Sequence, residues 1–328
     1  MKTNVFVKNL AKQIKTMRVR GAGEIARQAV EALKITAVRS NAKATDDLTI
    51  ELEAAAHTLL GTRPTAVSLP NGIRYVMYRV RDAATKTTDV NMLRKVVIRS
   101  SNEFIENSRT AVDRIGQIGS KRIVDGDVVM THCNSTSAIA ILRSAKDDGK
   151  RVSAIVTESR PFWQGKLTAR TLNNLGIPVT YIVDSAMRYF MNKADKVVVG
   201  ADAVAANGAV INKIGTSLMA LAAHEARTQF LVAAETYKFS PETMVGELVE
   251  IEERNPSEVL PEKERRGLKM IKVRNPSFDV TPPEYVDAIV TERGVIPPQA
   301  AILILQESFG KIPLEELMEY RTIPAIEE

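Results

Sequence analysis

The sequence predicts an α/β protein with an N-terminal helical domain and a C-terminal Rossmann-like domain whose sheet is mainly parallel. Up to about Lys121, apolar residues recur near a 3.6-residue period, with Gly or Pro at several of the breaks. From about Arg122, short Val/Ile-rich runs alternate with helical stretches, the pattern of a parallel sheet covered by helices. The predicted domains are therefore residues 1–121 and 122–328.

The predicted elements follow in chain order. Helices are predicted at Val5–Met17, Gly23–Leu33, Leu48–Leu60, Ala66–Tyr78 and Met92–Gly116. In the second domain, strands are predicted at Asp127–Thr131, Val152–Thr157, Val179–Val183, Lys196–Val199 and Phe230–Ala233, with helices at Thr136–Asp147, Gly165–Leu175 and Ser217–Ala226. Gly149 and Gly176 mark helix exits. The Glu- and Pro-rich stretch Pro241–Arg265 is predicted to be a solvent-exposed excursion.

Composition favours a globular cytoplasmic protein. Of 328 residues, 45% are hydrophobic and 26% charged, which is ordinary globular composition, and the length suits two domains. No apolar run approaches the roughly 20 residues that span a bilayer, and the start of the chain lacks the apolar core of a signal peptide. A single cysteine cannot form an internal disulfide, which favours the cytoplasm.

Several functional classes are disfavoured. The net charge of +6 fits an anionic partner, but the basic residues are scattered and aromatic residues are few, so neither nucleic acid nor a membrane is an expected partner. Three histidines lie far apart, which predicts no metal site. The Gly-rich turn Arg20–Gly23 follows no predicted strand, which argues against a nicotinamide enzyme. No cofactor is expected.

The only cysteine, Cys133, lies in Thr131–Ala138 (THCNSTSA), where a predicted strand gives way to a helix. A lone cysteine is often no more than a small buried hydrophobic residue. A helix start, however, attracts anions and lowers a thiol pKa, so a reactive thiolate is the competing interpretation.

Other polar residues occupy similar positions. Asp202 ends the strand-like run VVVGAD, at the sheet edge where α/β proteins bind ligands. Turns carry Asn212, Lys213 and Lys238 in the second domain and Arg20 and Arg63 in the first. Each alone fits a helix cap or a solvated side chain. Together, a thiol, a carboxylate and several cations suit proton transfer on a phosphorylated substrate.

Long motifs resemble a known superfamily. They are THCNSTSA, ESRPFWQG (158–165), VVVGADAVAANGAVINKIGT (197–216), AAETYKFS (233–240) and FDVTPPEYVDAIVTERGVIPP (278–298). The superfamily joins methylthioribose-1-phosphate isomerase, archaeal ribose-1,5-bisphosphate isomerase and the regulatory subunits of the translation-initiation guanine-nucleotide exchange factor. The resemblance is strongest to the bisphosphate isomerases. Ser135–Ser137 and the R-G-A-G turn at 20–23 differ from the methylthioribose enzymes in a way that favours a second phosphate.

The resemblance implies a catalytic pair, Cys133 and Asp202. It implies that substrate is bound by residues of both predicted domains, namely Arg20, Gly21, Ala22, Gly23, Arg63, Ser135, Thr136, Ser137, Asn212, Lys213 and Lys238. A sugar phosphorylated on its anomeric oxygen cannot open unaided, so Asp202 is the expected acid on the ring oxygen. Cys133, as thiolate, is the expected base at C2, although the residues alone do not decide which group makes which transfer.

The same resemblance implies conversion of ribose 1,5-bisphosphate to ribulose 1,5-bisphosphate in archaeal nucleoside-monophosphate breakdown. It implies AMP as an activator and a homo-oligomer built from dimers through the Rossmann-like domains, with a hexamer among the forms it allows. The alternatives are a methylthioribose-1-phosphate isomerase and a non-catalytic regulatory subunit. Most regulatory subunits lack either the Cys or the Asp, so an enzyme is favoured.

Overall fold

The structure, a computed structural model, describes residues 4–16, 18–19, 21–62, 67–268, 270–310 and 312–320. Packing separates the chain into two compact units. Unit 1 takes Met1–Thr110, Tyr237–Glu247 and Leu305–Glu328, and unit 2 takes Ala111–Thr236 and Leu248–Ile304. The domain boundary expected between residues 121 and 122 stays a prediction.

Unit 1 is helical, as predicted. Its helices are α1 (Val5–Lys15), α2 (Ala22–Arg39), α3 (Thr45–Leu60), α4 (Ser68–Ala84), most of α5 (Val90–Ser120) and α12 (Leu314–Glu319). Helix α2 packs against α1, α3 and α4. Apolar side chains at three- and four-residue spacing, such as Leu48, Leu52, Leu59, Ile73 and Val80, form one buried core. The predicted ends Met17 and Ala66 lie outside the described residues.

Unit 2 contains a seven-stranded sheet with the order β10-β9-β7-β4-β1-β2-β3. Its strands are β1 (Val128–Thr131), β2 (Ser153–Thr157), β3 (Val179–Ile182), β4 (Lys196–Gly200), β7 (Gln229–Ala233), β9 (Ala288–Thr291) and β10 (Gly294–Ile296). All neighbours pair in parallel except β9 and β10. The predicted Rossmann-like fold class is therefore confirmed.

Further helices lie between these strands or follow the last of them. They are α6 (Thr136–Asp147), α7 (Gly165–Asn174), α8 (Met187–Met191), α9 (Thr216–Ala226), α10 (Glu262–Arg265) and α11 (Ala301–Phe309). Helix α6 begins and ends where the sequence predicts. Gly149 and Gly176, at the predicted helix exits, have φ of 83° and 69°, which Gly adopts at little cost.

A second, three-stranded antiparallel sheet was not predicted. It consists of β5 (Ala203–Val204), β6 (Val210–Lys213) and β8 (Phe278–Thr281), in the order β5-β6-β8. The Asn207-Gly208 turn connects β5 to β6, and Gly208 has φ of 86°. This small sheet matters for the site because β5 and β6 are antiparallel, so Asp202, just before β5, and Lys213, at the end of β6, lie at the same end of it.

Candidate active site

Cys133 and Asp202 follow neighbouring parallel strands. Cys133 comes two residues after β1, and Asp202 two residues after β4, and β1 pairs with β4. From β1 the sheet continues to β2 on one side, and from β4 to β7 on the other. The strand order therefore reverses between β1 and β4, and such a point is where open α/β sheets bind ligands at their carboxyl edge.

The backbone around Cys133 is fixed by hydrogen bonds from both sides. Cys133 has φ of 67°, in the left-handed region. Its N–H donates to Ser159 Oγ at 2.7 Å, and its carbonyl accepts from Thr168 Oγ1 at 2.7 Å. Each partner comes from another part of the chain. Tertiary contacts, rather than the local backbone preference, therefore fix the position of Cys133.

Asp184 holds the backbone at Ser159, the residue that accepts the Cys133 N–H hydrogen bond. Its Oδ1 and Oδ2 accept from the backbone N–H groups of Ser159 and Arg160, both at 2.8 Å. Ser159 itself has φ of 56°. The Asp184 carboxylate therefore fixes the turn at Ser159 and Arg160, and Ser159 fixes the Cys133 amide.

His132 is a buried, neutral structural residue in this turn. Its Nε2 lies 2.8 Å from the carbonyl oxygen of Ile214, which can only accept, so Nε2 carries the proton and Nδ1 accepts from Thr157 Oγ1 at 2.6 Å. Burial lowers the pKa of His132, in agreement with a neutral ring. The ring thereby ties the cysteine turn to the end of the small sheet.

The expected low pKa of Cys133 is wrong. Burial raises the pKa of the Cys133 thiol to about 11, the nearby Asp202 carboxylate adds to the rise, and Lys213 only partly opposes it. The helix that was expected to stabilise a thiolate starts at Thr136, three residues after Cys133, and Ser135 is its N-cap. The thiol is therefore protonated near neutral pH.

Alkylation tests this correction. We expect iodoacetamide to label Cys133 in the native protein with a pH midpoint near 11, above the midpoint of the denatured protein. Because the folded pKa is raised, the thiol's contribution to stability is present below the unfolded pKa and is lost as pH rises through the folded value. Mass spectrometry of labelling rate against pH provides the measurement, and equal native and denatured midpoints would contradict it.

The small sheet brings Asp202 and Lys213 to the same place. The Asp202 N–H donates to Ile211 O at 2.9 Å, which fixes the Asp202 backbone beside the strand that ends in Asn212 and Lys213. Lys213 is buried, with Nζ 4.8 Å from the centre of the Phe278 ring. Both charges act on the Cys133 pKa, so thiol, carboxylate and ammonium share one site in unit 2.

Asp279 fixes the start of α9 at the edge of this site. Its carboxylate accepts from the N–H groups of Gly215 at 2.7 Å and Ser217 at 3.1 Å. Burial nevertheless raises the pKa of Asp279 to about 6. Gly215 has φ of 103°, and a Cβ there would lie 3.1 Å from the His132 ring.

Gly215→Ala is expected to lower the free energy of unfolding by about 1–3 kcal/mol, from backbone strain and from the contact with His132. Gly126→Ala is the matched control in unit 2, because Gly126 has φ of 94° but nothing within 4 Å of its would-be Cβ. Urea denaturation of both variants separates the two effects. Equal losses would show that the His132 contact contributes nothing.

The Ser135–Ser137 segment lies at the start of α6. Ser135 Oγ accepts from the Ala138 N–H at 3.2 Å, and Ser137 Oγ donates to Glu235 Oε1 at 2.9 Å. Thr136 is exposed. A Cβ at Gly200 would lie 2.4 Å from Ser135 Oγ, so the strand that leads to Asp202 must carry Gly where it passes this segment. The free N–H groups of this helix start suit a phosphate.

In unit 1, the structure brings the turn Gly21–Gly23 next to the segment that carries Lys238. Gly21, with φ of 85°, caps α2, and Ala22 and Gly23 form its first turn. Tyr237 Oη approaches Gly23 so closely that a Cβ there would lie 2.6 Å away. Lys238 is buried. Arg20 and Arg63 lie outside the described residues.

Sequence reasoning missed the groups that hold Cys133. Ser159 and Asp184 were not among the candidate residues, although the motif at 158–165 contains the first of them. Within the described ranges, no group of three or more His, Cys, Asp or Glu could hold a metal ion. Among the same residues, no helix is long and apolar enough to cross a membrane.

Comparison with known proteins places this geometry in a family. The model of the initiation factor 2 subunit family matches residues 18–298. Ribose 1,5-bisphosphate isomerase of Pyrococcus furiosus is 59% identical over 92% of this chain and 93% of its own length, and that of Thermococcus kodakarensis is 57% identical over 93% and 95%. Methylthioribose-1-phosphate isomerase of Pelotomaculum thermopropionicum is 37% identical over 88% and 82%.

Solved structures agree on the fold. The Pyrococcus horikoshii structure titled translation initiation factor eIF-2B has a TM-score of 0.77 and 32% identity, over 91% of this chain and 99% of that chain. The 5-methylthioribose 1-phosphate isomerase of the same organism has a TM-score of 0.72 and 29% identity, over 93% and 87%. One fold therefore carries both enzyme and initiation-factor names.

Proposed function

This chain belongs to the initiation factor 2 subunit family, and from that premise we propose that it is an aldose–ketose isomerase that converts ribose 1,5-bisphosphate to ribulose 1,5-bisphosphate. One observation carries the choice of substrate. Six relatives at 48–59% identity bear the bisphosphate name, whereas the methylthioribose-1-phosphate isomerase of Pelotomaculum thermopropionicum is 37% identical. The shared site of thiol, carboxylate and ammonium in unit 2 supports turnover rather than a purely regulatory role.

In this mechanism the side chains of Cys133 and Asp202 share one proton. At rest the proton is on the Cys133 thiol, beside the Asp202 carboxylate. Transfer to Asp202 produces an acid for the ring oxygen and a thiolate for C2 without exchange with solvent. Once Asp202 is protonated it carries no negative charge, so it no longer destabilises the thiolate. The high pKa of the thiol makes the thiolate a strong base, which a carbon acid requires.

The reaction then follows in balanced steps. Asp202 protonates the ring oxygen as the C1–O bond to the ring opens, and Cys133 removes the C2 proton to give an enediol phosphate. Cys133 returns that proton to C1, and the C2 hydroxyl proton goes back to Asp202 as the ketone forms. The anomeric phosphate stays attached throughout, which requires groups that hold it in place.

Phosphate recognition is assigned to the cations and helix starts of each unit. In unit 2 these are Ser135–Ser137, Asn212 and Lys213, and in unit 1 they are Gly21–Gly23 and Lys238, together with Arg20 and Arg63. Lys213 and Lys238 are both buried, and each supplies a positive charge for a phosphate group.

Direct assay tests the function. Purified protein should convert ribose 1,5-bisphosphate to ribulose 1,5-bisphosphate, with kcat/KM at least tenfold above that for methylthioribose 1-phosphate. A preference for methylthioribose 1-phosphate would assign the chain to that branch of the family. Binding of the bisphosphate without turnover would favour the regulatory alternative.

Lys238→Ala is expected to lower kcat/KM for ribose 1,5-bisphosphate by about 10- to 100-fold, the loss of a charge-assisted contact worth about 1.5–3 kcal/mol. Ribose 1-phosphate should lose nothing, because it lacks the 5-phosphate. Exposed Lys12 of α1 provides the control substitution, Lys12→Ala. Equal losses on both substrates would show that Lys238 holds the other phosphate or only the fold.

We also propose a cytoplasmic homo-oligomer that is activated by AMP within nucleoside-monophosphate degradation. The single cysteine supports the compartment. Exposed Tyr189, Leu218 and Leu221 in unit 2 support self-association of the Rossmann-like domains. Sedimentation analysis tests for dimers and hexamers, and initial rates with and without AMP test the activator.

A further inference from the structure

Helix α4 buries an amide and a guanidinium among apolar side chains. Asn71 and Arg74 are only 2% and 1% exposed, although they lie one turn apart among Leu69, Ile73 and Met77. Burial of an amide and a guanidinium is costly unless every polar atom finds a partner. The partners of these two residues therefore indicate what the helix holds.

Asn71 forms hydrogen bonds with the residues on both sides of Lys238. Its Nδ2 donates to the carbonyl of Tyr237 at 2.9 Å and to the carbonyl of Phe239 at 2.8 Å, the residues immediately before and after Lys238. Both hydrogens of the amide are used on the same short segment. The peptide group before Lys238 and the peptide group after Phe239 are consequently fixed to α4.

Arg74 fixes the orientation of that amide. Its Nη1 donates to Asn71 Oδ1 at 2.8 Å, which leaves only the NH₂ group of Asn71 to face the two carbonyls. Its Nη2 forms an ion pair with Glu242, whose second oxygen accepts from Ser240 Oγ at 2.9 Å. We call Asn71, Arg74 and Glu242 the clasp.

Tyr237 fixes the same segment from another side. Its ring lies 5.7 Å from that of Phe104, centre to centre, and its Oη lies against Gly23. The residue before Lys238 is thus held beside the turn Gly21–Gly23, the other phosphate-binding candidate of unit 1. The clasp and this contact together set where the Lys238 side chain starts.

We propose that Asn71 and Arg74 are positioning residues that place Lys238 for its contact with a substrate phosphate. The inference rests on the proposed function, because it takes Lys238 as a phosphate ligand. Neither residue touches the substrate in this assignment; each acts through the backbone of residues 237–239. The competing interpretation is that the clasp only anchors a connecting segment to unit 1.

A double-mutant cycle in bisphosphate affinity distinguishes the two interpretations. Asn71→Ala should weaken the binding of ribose 1,5-bisphosphate about five- to tenfold in the wild-type background, and by less than twofold when Lys238 is already alanine. Dissociation constants come from titration calorimetry and KM from kinetics, with ribose 1-phosphate as the second ligand. Its affinity should not change.

Two further variants serve as a replacement for Asn71→Ala and as a control. Arg74→Lys keeps the charge but loses one of its two contacts, and it replaces Asn71→Ala in the cycle if the alanine variant does not fold. Thr36→Val is the control, since it removes a buried side-chain hydrogen bond of α2, from Thr36 Oγ1 to Ala32 O at 2.8 Å, far along the chain from the clasp. It should leave both affinities unchanged.

The outcomes separate the inference from the function. A loss of equal size in both Lys238 backgrounds, or on both ligands, overturns the positioning role. A wild type that binds the bisphosphate without isomerising it overturns the proposed function only, and the cycle is still read in dissociation constants. A wild type that does not bind the bisphosphate overturns both.

Discussion

Asp202→Asn is expected to fold and bind ribose 1,5-bisphosphate normally but to lose about 10²–10⁴-fold in kcat, because an amide cannot protonate the ring oxygen. Its backbone N–H bond to Ile211 does not depend on the side chain, so the local fold should persist. Removal of the carboxylate also removes one cause of the raised Cys133 pKa. The alkylation midpoint should therefore fall in this variant.

Two measurements on Asp202→Asn check these effects. Steady-state kinetics give kcat, and calorimetry shows whether bisphosphate binding is retained. The alkylation profile is independent of turnover. Near-wild-type kcat would remove Asp202 from the mechanism, and an unchanged alkylation midpoint would show that its charge does not reach the thiol.

The sequence indicated for a physical reason that Cys133 and Asp202, the proposed catalytic pair, lie at one edge of the sheet. Val/Ile-rich runs with helices between them require parallel strands, and the carboxyl ends of parallel strands share one edge. Cys133 and Asp202 each follow such a run, so their proximity depends only on β1 and β4 being neighbours. The residues that hold Cys133 follow other elements, and no periodicity connects them to it.

The small sheet and the thiol pKa were not predictable in the same way. Strands β5 and β6 are two and four residues long, too short for a period, and only the Asn207-Gly208 pair gives the signal of a hairpin. The pKa depends on burial and on the charges of Asp202 and Lys213 near the thiol, and the sequence states neither. Likewise, Asn71 and Arg74 give no sign in the sequence that they are buried.

Cys133→Ser is expected to lower kcat by about 10²–10⁴-fold while bisphosphate affinity is kept, because a serine hydroxyl is far harder to deprotonate than even this thiol. The backbone bonds to Ser159 and Thr168 do not involve the sulfur, so the turn should keep its geometry. Loss of kcat with unchanged affinity is the pattern of a group that acts in the transition state.

Isotope exchange identifies the step that Cys133 performs. In D₂O, the wild type should incorporate deuterium at C1 of ribulose 1,5-bisphosphate to the extent that the Cys133 proton exchanges with solvent. A substrate deuterated at C2 should show a primary isotope effect on kcat if proton removal limits the rate. Cys133→Ser should lose C2 exchange and turnover together. If the serine variant still exchanges the C2 proton at the wild-type rate, another group is the base and Cys133 acts at a different step.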